Sequence, residues 1–415
     1  MTVKKIGSYL AAGFAAQGAA AVSGLLLARV MTVGDYALYT VALAIIGAVN
    51  NLTRGGVQMG FAAVLGRVWP NMDEASRALS SARRVRLLVS ALTMPPILAF
   101  AWYLLSKAGG SPLVIMAVIT IIAALWYADL HASILDQLLY FAKKAEQVQF
   151  VDGIIAWLRL VMVGFFALTH TIALIPALLT NFFTVAGRVP MIQKWVHAMV
   201  GRKYAPADPE MTRSIRKIAL RQIPVDVWGV AQTQITLFFL ARGAPPLEMA
   251  TYGALGRIAQ ILTPFSAMSI AYFVPAFATA QRGVLWKILR YTALVSVPGL
   301  GLLGIAILEP RWLLIIIGPA YLEQETALVA SATIIVILNA VQVAWSLISH
   351  RGWNQWGWLR IPIGIVWCFV GPLILPVNTA AGAYLFFCGF AIGTVTALGV
   401  DLVSARRQRQ IETLL

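Results

Sequence analysis

The chain has 415 residues, 60% of them hydrophobic and only 12% charged, and its 32 Lys and Arg against 16 Asp and Glu give a net charge of +16. Soluble globular chains carry about 25% charged residues and disordered ones are poor in apolar residues, so both classes are excluded. The two cysteines, Cys368 and Cys388, lie in apolar runs and make no disulfide framework. The basic residues are islands between apolar stretches, not the solvated face with stacking aromatics of a nucleic-acid binder, which leaves an integral membrane protein of many spans.

A bilayer-crossing helix needs about 20 mostly apolar residues. Taken along the chain, the charge-free runs predict twelve spans, at 6–28, 37–65, 87–106, 112–140, 148–168, 172–192, 218–240, 249–276, 288–308, 325–348, 360–375 and 380–402. Thr169-His170-Thr171 and Pro376-Val377-Asn378-Thr379 are the turns that split the two longest runs. Lipid-exposed strands or loops could not satisfy their backbone groups, so helices are the default. The first run follows Lys4 and Lys5 as a signal peptide would, but its 23 residues exceed the usual apolar core of such a leader, and a span is expected instead.

Lys and Arg collect on the cytoplasmic side. With the N-terminus inside, the twelve-span layout puts 25 of them on that side, Arg86 and Arg188 included, against four on the other (Arg29, Lys107, Arg242 and Arg311). Three remain within spans: Arg54, Arg159 and Arg257. The expected location is the inner (plasma) membrane with both termini cytoplasmic.

The longest polar stretch, 194–217, has six expected spans on each side. It divides the chain into an N-terminal bundle 1–193, a cytoplasmic linker 194–217 and a C-terminal bundle 218–415. The Pro-rich part of the stretch reads as linker, and its basic part as an interfacial helix start attracted to anionic lipid heads. Leu27-Ala28-Arg29 recurs as Leu240-Ala241-Arg242, and at the same offset of 213 Asp35 meets Glu248, Tyr39 meets Tyr252 and Ile45 meets Ile258. Arg83 and Arg86 match Lys287 and Arg290 at an offset of 204. With an even number of spans per half, the repeats are parallel, and internal repeats of this kind are a transporter feature.

Leu27-Ala28-Arg29 through Asp35-Tyr36-Ala37-Leu38-Tyr39, and Ile315-Ile316-Ile317-Gly318-Pro319-Ala320-Tyr321, resemble stretches of the MOP superfamily, and within it of the polysaccharide (Wzx-type) flippases. The resemblance implies an all-α polytopic membrane protein of twelve helices in two parallel six-helix bundles, a MATE-like V-shaped fold around a cavity open alternately to either side. It implies a lipid-linked (polyprenyl-pyrophosphate) oligosaccharide as substrate, as in O-antigen biosynthesis. Membrane lipids and polymerase or export proteins are the implied partners, with no nucleic acid, and a monomer is expected. Lipid II flippases of the superfamily carry two further C-terminal helices, which argues against the peptidoglycan precursor.

A charge inside the membrane costs about 2.5–3.5 kcal/mol on insertion scales and is rarely idle. Asn50, Arg54 and Gln58 are spaced four apart, on one face of the second span, with Asn51 beside them. They are expected to wall a cavity that holds phosphate and sugar hydroxyls, since the planar guanidinium forks onto phosphate oxygens. The alternative is helix–helix contact with Arg54 snorkelling to the cytoplasmic edge. Arg257 lies eight residues into the eighth span. Neither arginine has a repeat counterpart, since Arg257 matches Ala44 and Arg54 matches Ala267, and the resemblance implies that the two hold the pyrophosphate. Asp129 and Arg159 lie equally far from the turn at Lys144, so a structural buried ion pair is expected. Asp136 and Asp152 are expected near the cytoplasmic edge, screened by Lys143 and Lys144. Asp226, one turn after Gln222, either binds Na⁺ or a proton and couples transport to an ion gradient, or bonds a neighbouring helix.

No phosphate-binding Gly-x-x-x-x-Gly-Lys-Ser/Thr loop occurs, and His131, His170, His197 and His350 lack metal-ligand spacing. No catalytic residue, metal or cofactor is expected. Trp69, Trp102, Trp126, Trp286, Trp312 and Trp358 read as interfacial anchors, and Gly55-Gly56, Pro95-Pro96, Pro264 and Pro298 as hinges. The rivals to a flippase are a cation-coupled drug antiporter of the same superfamily, which would need an acidic, aromatic-lined cavity, and a glycan ligase or polymerase, which would need a large outer loop.

Overall fold

The computed structural model describes residues 3–142, 144–260, 283–350 and 355–407, with Leu262 and Phe273 as isolated positions. The expectations attached to Lys143, Pro264, Ala267, Arg282, Arg351 and Arg409 lie outside them. In order the chain forms α1 (Val3–Val30), α2 (Val33–Val68), α3 (Met72–Lys107), α4 (Pro112–Phe141), α5 (Ala145–Leu168), α6 (Leu174–Val200), α7 (Pro209–Gly243), α8 (Pro246–Gln260), α9 (Val284–Leu308), α10 (Pro310–Ile317), α11 (Glu325–His350), α12 (Arg360–Ile374), α13 (Ala380–Gly389) and α14 (Ala391–Arg407). Two short 3₁₀ turns cover Pro319–Tyr321 and Gly357–Leu359, and there is no strand among the described residues. Eleven described helical segments are long and apolar enough to cross a membrane. The protein is thus an all-helical, multi-pass membrane protein. The expected span 249–276 is described only as far as Gln260.

Caps set several helix starts. Thr32 Oγ1 accepts the Asp35 amide at 3.2 Å, Asn71 Oδ1 accepts the amides of Asp73 and Glu74, and Thr379 Oγ1 accepts that of Gly382; each satisfies a donor the helix cannot. The pairs Met31-Thr32 and Ala244-Pro245 interrupt the chain between α1 and α2 and between α7 and α8. These two breaks stand 213 residues apart, the offset of the sequence repeat.

Helix lengths depart from hydropathy where packing rather than lipid holds the helix. α3 begins at Met72, not near 87, because Ala75, Ala78, Leu79 and Ala82 bury against Phe61, Val64 and Leu65 of α2. α7 begins at Pro209 rather than 218, with Asp208 Oδ1 accepting the Met211 amide at 2.8 Å. The expected last span is interrupted at Phe390 between α13 and α14, and the apolar run before Gly318 forms α10, a helix not expected from the sequence.

The chain folds as two compact units, Met1–Gln234 and Ile235–Leu415. The first has a core drawn from α2 to α7. Within it α7 lies close against the glycine face of α2. A Cβ on Gly56 would stand 2.8 Å from the Ala219 carbonyl oxygen, and one on Gly60 would stand 2.8 Å from that of Ile215. This is the small-residue contact that lets membrane helices pack backbone to backbone. Residues 201–208, between α6 and α7, are tied to α3: Ser76 Oγ accepts the Ala205 amide, Ser80 Oγ donates to the Ala205 carbonyl, and Ser81 Oγ bonds both the amide and the carbonyl of Asp208. Arg83 covers the Tyr204 ring at 4.6 Å. The second unit packs Val284, Ile288 and Val295 of α9 against Val343 and Leu347 of α11 and Leu398 of α14.

Candidate functional site

The strongest polar cluster inside a membrane helix centres on Asp129 of α4. Arg54 of α2 grips this carboxylate with two prongs, Nε donating to Oδ2 at 2.9 Å and Nη2 to Oδ1. Arg86 of α3 donates from Nη2 to Oδ2 at 2.6 Å. Its Nη1 reaches the Ser133 hydroxyl at 2.6 Å and the carbonyls of Asp129 and Leu130. The Arg86 side chain is fully buried, whereas that of Arg54 is 35% exposed. Two guanidiniums face one carboxylate, a local surplus of one positive charge, and the fixed and accessible members are distinguishable.

The expected Asp129–Arg159 pair does not form. Equal distance from a turn fixes depth but not azimuth, and the partners of Asp129 come from α2 and α3. Arg159 instead donates to the Tyr39 hydroxyl at 2.8 Å. Arg86, counted among the cytoplasmic orientation charges, is corrected to a buried one. It sits behind Arg83 and Arg84 in a run that reads as a membrane flank, and only the early start of α3 brings it inside. A signal was available: as the last arginine before the apolar run, Arg86 stands on the helix that adjoins the acid-bearing α4.

A second bridge lies nearer the α4–α5 turn. Arg188 of α6 donates to Asp136 of α4 at 3.1 Å and to Asp152 of α5 at 2.8 Å. These acids thus have a protein partner, where screening by Lys143 and Lys144 was expected. Trp126 is also not an interfacial anchor: it stands mid-way along α4 and donates to Ser90 Oγ of α3 at 3.2 Å.

Of the remaining sequence candidates, Gln58 lies one turn after Arg54 and its amide donates to the Ser133 carbonyl at 3.4 Å. It therefore joins the Asp129 cluster, while Asn50 lies one turn before Arg54 on the same face of α2 and is partly buried. Asp226 accepts the Gly56 amide at 3.0 Å and the Gln222 side-chain amide at 3.1 Å. It therefore spans the α2–α7 contact. Arg257 belongs to the second unit, near the end of α8, and its Nε is buried without a hydrogen-bond partner among the described residues. In that unit Glu248 accepts the Ala380 amide at 2.7 Å, and the Tyr384 hydroxyl donates to the Tyr252 carbonyl at 2.6 Å. No group of three metal-ligating side chains occurs among the described residues.

No family model matches the chain, and no curated protein matches its sequence. Solved structures do match. A chain described as an inward-facing multidrug resistance MATE family transporter of the MOP superfamily aligns at TM-score 0.68 and 12% identity, over 95% of this chain and 94% of that one. The lipid II flippase MurJ in an inward closed conformation aligns at TM-score 0.72 and 11% identity, over 95% and 86%. A MOP superfamily transporter from Pyrococcus furiosus, described as having a binding pocket of reverse polarity, aligns at 0.62 and 13%, over 97% and 94%. At such identities the likeness establishes the fold, that of the MATE and MurJ transporters, and the particular substrate must be argued from the site.

Proposed function

We propose that the protein translocates a lipid-linked oligosaccharide, a glycan on a polyprenyl pyrophosphate, across the inner membrane by alternating access. The observation that carries this reading is the surplus cation at Asp129. Arg86 alone neutralises the carboxylate and is held by three further acceptors, so Arg54 can leave Asp129 for a ligand without stranding an acid. A forked, partly exposed guanidinium suits a pyrophosphate, and Asn50 and Gln58 on the same face suit sugar hydroxyls. Arg257, with a buried unsatisfied Nε, is the corresponding donor of the second unit. A cation-coupled drug antiporter would call for an acidic, aromatic-lined site; the Arg188 bridge to Asp136 and Asp152 offsets the local surplus at Asp129, so it is the forked, partly exposed guanidinium of Arg54 that favours the anionic substrate.

Asp226 is the coupling residue in this scheme. Protonation, or capture by Na⁺, would weaken its hold on the Gly56 amide and so loosen α2 from α7. The chain acts on its substrate without chemistry, as a transporter and not an enzyme, and its termini lie in the cytoplasm.

The test is binding of a short polyprenyl pyrophosphate to the purified protein in detergent micelles. Arg54→Gln and Arg257→Gln should each weaken binding about tenfold or more, the size expected for a lost charge-assisted hydrogen bond, and the unphosphorylated polyprenol should bind poorly. Equal binding of the phosphorylated and unphosphorylated lipid, or no effect of either substitution, would remove the anionic headgroup from the account.

A further inference from the structure

We infer a second anion-binding site in the first unit, built from Arg159 of α5, Tyr39 of α2 and Asn181 of α6, for a carboxylate or phosphate group. It is separate from the Asp129 cluster and does not depend on the flippase reading.

The three residues share a layer. Arg159 stands nine residues before the end of α5 at Leu168, about 13 Å along the axis at 1.5 Å per residue. Asn181 stands seven residues after Leu174 and Tyr39 six after Val33, about 10 Å and 9 Å from the same face. An arginine at that depth lies beyond a comfortable snorkel to the interface. The Arg54 layer is measured from the opposite face: Arg54 precedes Val68 by 14 residues, about 21 Å.

Among the described residues, donors here outnumber the acceptors they bond. The Tyr39 hydroxyl accepts from Arg159 Nη2 at 2.8 Å and from Asn181 Nδ2 at 3.5 Å, so both groups draw on one oxygen. The proton of that hydroxyl has no acceptor among the described residues, and neither has Arg159 Nε, which is buried. Tyr39 is fully buried and Asn181 nearly so, whereas Arg159 remains partly exposed and gives the cluster an open side. No ion pair of Arg159 occurs among the described residues. A cation in the membrane interior with hydroxyl and amide donors around it and no carboxylate is held at a cost. An oxyanion entering beside the guanidinium would satisfy Arg159 Nε and the tyrosine proton together.

Thermal unfolding in detergent tests the site, and the sign of the Arg159→Met effect separates a ligand site from a structural tie. In a buffer of chloride alone, Arg159→Met should melt at or above the wild-type temperature, because it removes an uncompensated charge. Glucuronate or inorganic phosphate, compared with chloride at equal ionic strength, should raise the wild-type unfolding temperature by about 2 °C or more. The shift should disappear in Arg159→Met and shrink in Tyr39→Phe, which keeps the ring in its fully buried place. A shift obtained with phosphatidylglycerol in mixed micelles but not with the soluble anions would assign the same site to a lipid headgroup. Arg159→Met melting below wild type in chloride, or keeping the anion-induced shift, would overturn the proposal, as would a wild type that responds to none of the anions.

Discussion

Asp129 carries one charge and touches two arginines, and that arithmetic governs what substitutions there should do. Asp129→Asn strands Arg86, whose side chain is fully buried. Breaking a buried pair from one side costs about 3–5 kcal/mol, so this variant should unfold at markedly lower denaturant or temperature. Arg86→Met should leave Asp129 to Arg54 alone, keeping the fold but immobilising the arginine proposed to meet substrate. Pyrophosphate-lipid binding should then fall, and the double variant Arg86→Met/Asp129→Leu, which frees Arg54, should restore it. No rescue by the double variant would deny Arg86 its role as fixed counter-ion. The shared α2 face of Asn50, Arg54 and Gln58 was legible from their spacing of four. Arg86 was not, because a cytoplasmic flank and the start of an early, packed helix have the same basic composition. Nor were the partners of Asp129 and Arg159, since depth along a helix says nothing of which neighbour its face meets.

At the scale of elements, the contact between α2 and α7 depends on having no side chain at Gly56 and Gly60. Gly56→Val would drive a β-branched side chain into the Ala219 backbone, 2.8 Å from where its Cβ must stand. Overpacking of this kind costs about 1–3 kcal/mol, and Gly56→Ala should cost less but in the same direction, as read from thermal unfolding of the two variants. Because Asp226 bonds the Gly56 amide across this contact, Asp226→Asn should abolish the dependence of transport on the ion gradient while downhill movement persists. The sequence alone suggests a hinge at Gly55-Gly56, and the packing of Gly56 and Gly60 against Ala219 and Ile215 emerges only with α7 in place. Apolar runs located the lipid-facing centres of the helices well. They missed the first 15 residues of α3 and the first nine of α7, where burial against other helices and hydrogen bonds to the 201–208 segment take over from lipid.

For the whole molecule, hydropathy was sufficient for an all-helical, multi-pass chain, and the MATE-like fold followed from the resemblance. Hydropathy reflects a constraint the bilayer imposes on every span, whereas substrate choice rests on a few side chains. The 25-to-4 asymmetry of Lys and Arg predicts sidedness. It survives the reassignment of Arg86, because Lys194, Arg202, Lys203, Arg213, Arg216 and Lys217 remain around the α6–α7 connection. In a background with Cys368 and Cys388 replaced, a cysteine at exposed Ser111 should react with an impermeant maleimide from outside intact cells. One at exposed Arg202 should react only after permeabilisation, and the reverse pattern would invert the orientation.

The central claim is that a cationic cluster inside the membrane carries the head of an anionic lipid-linked saccharide. Its most direct measurement is the movement of a fluorescent polyprenyl-pyrophosphate disaccharide between leaflets of vesicles holding the purified protein. The wild type should bring the label within reach of a membrane-impermeant quencher, Arg54→Gln and Arg257→Gln should slow this about tenfold or more, and a cationic dye should not compete. Unchanged flipping in the double variant Arg54→Gln/Arg257→Gln, or transport of the dye in place of the lipid, would contradict the account.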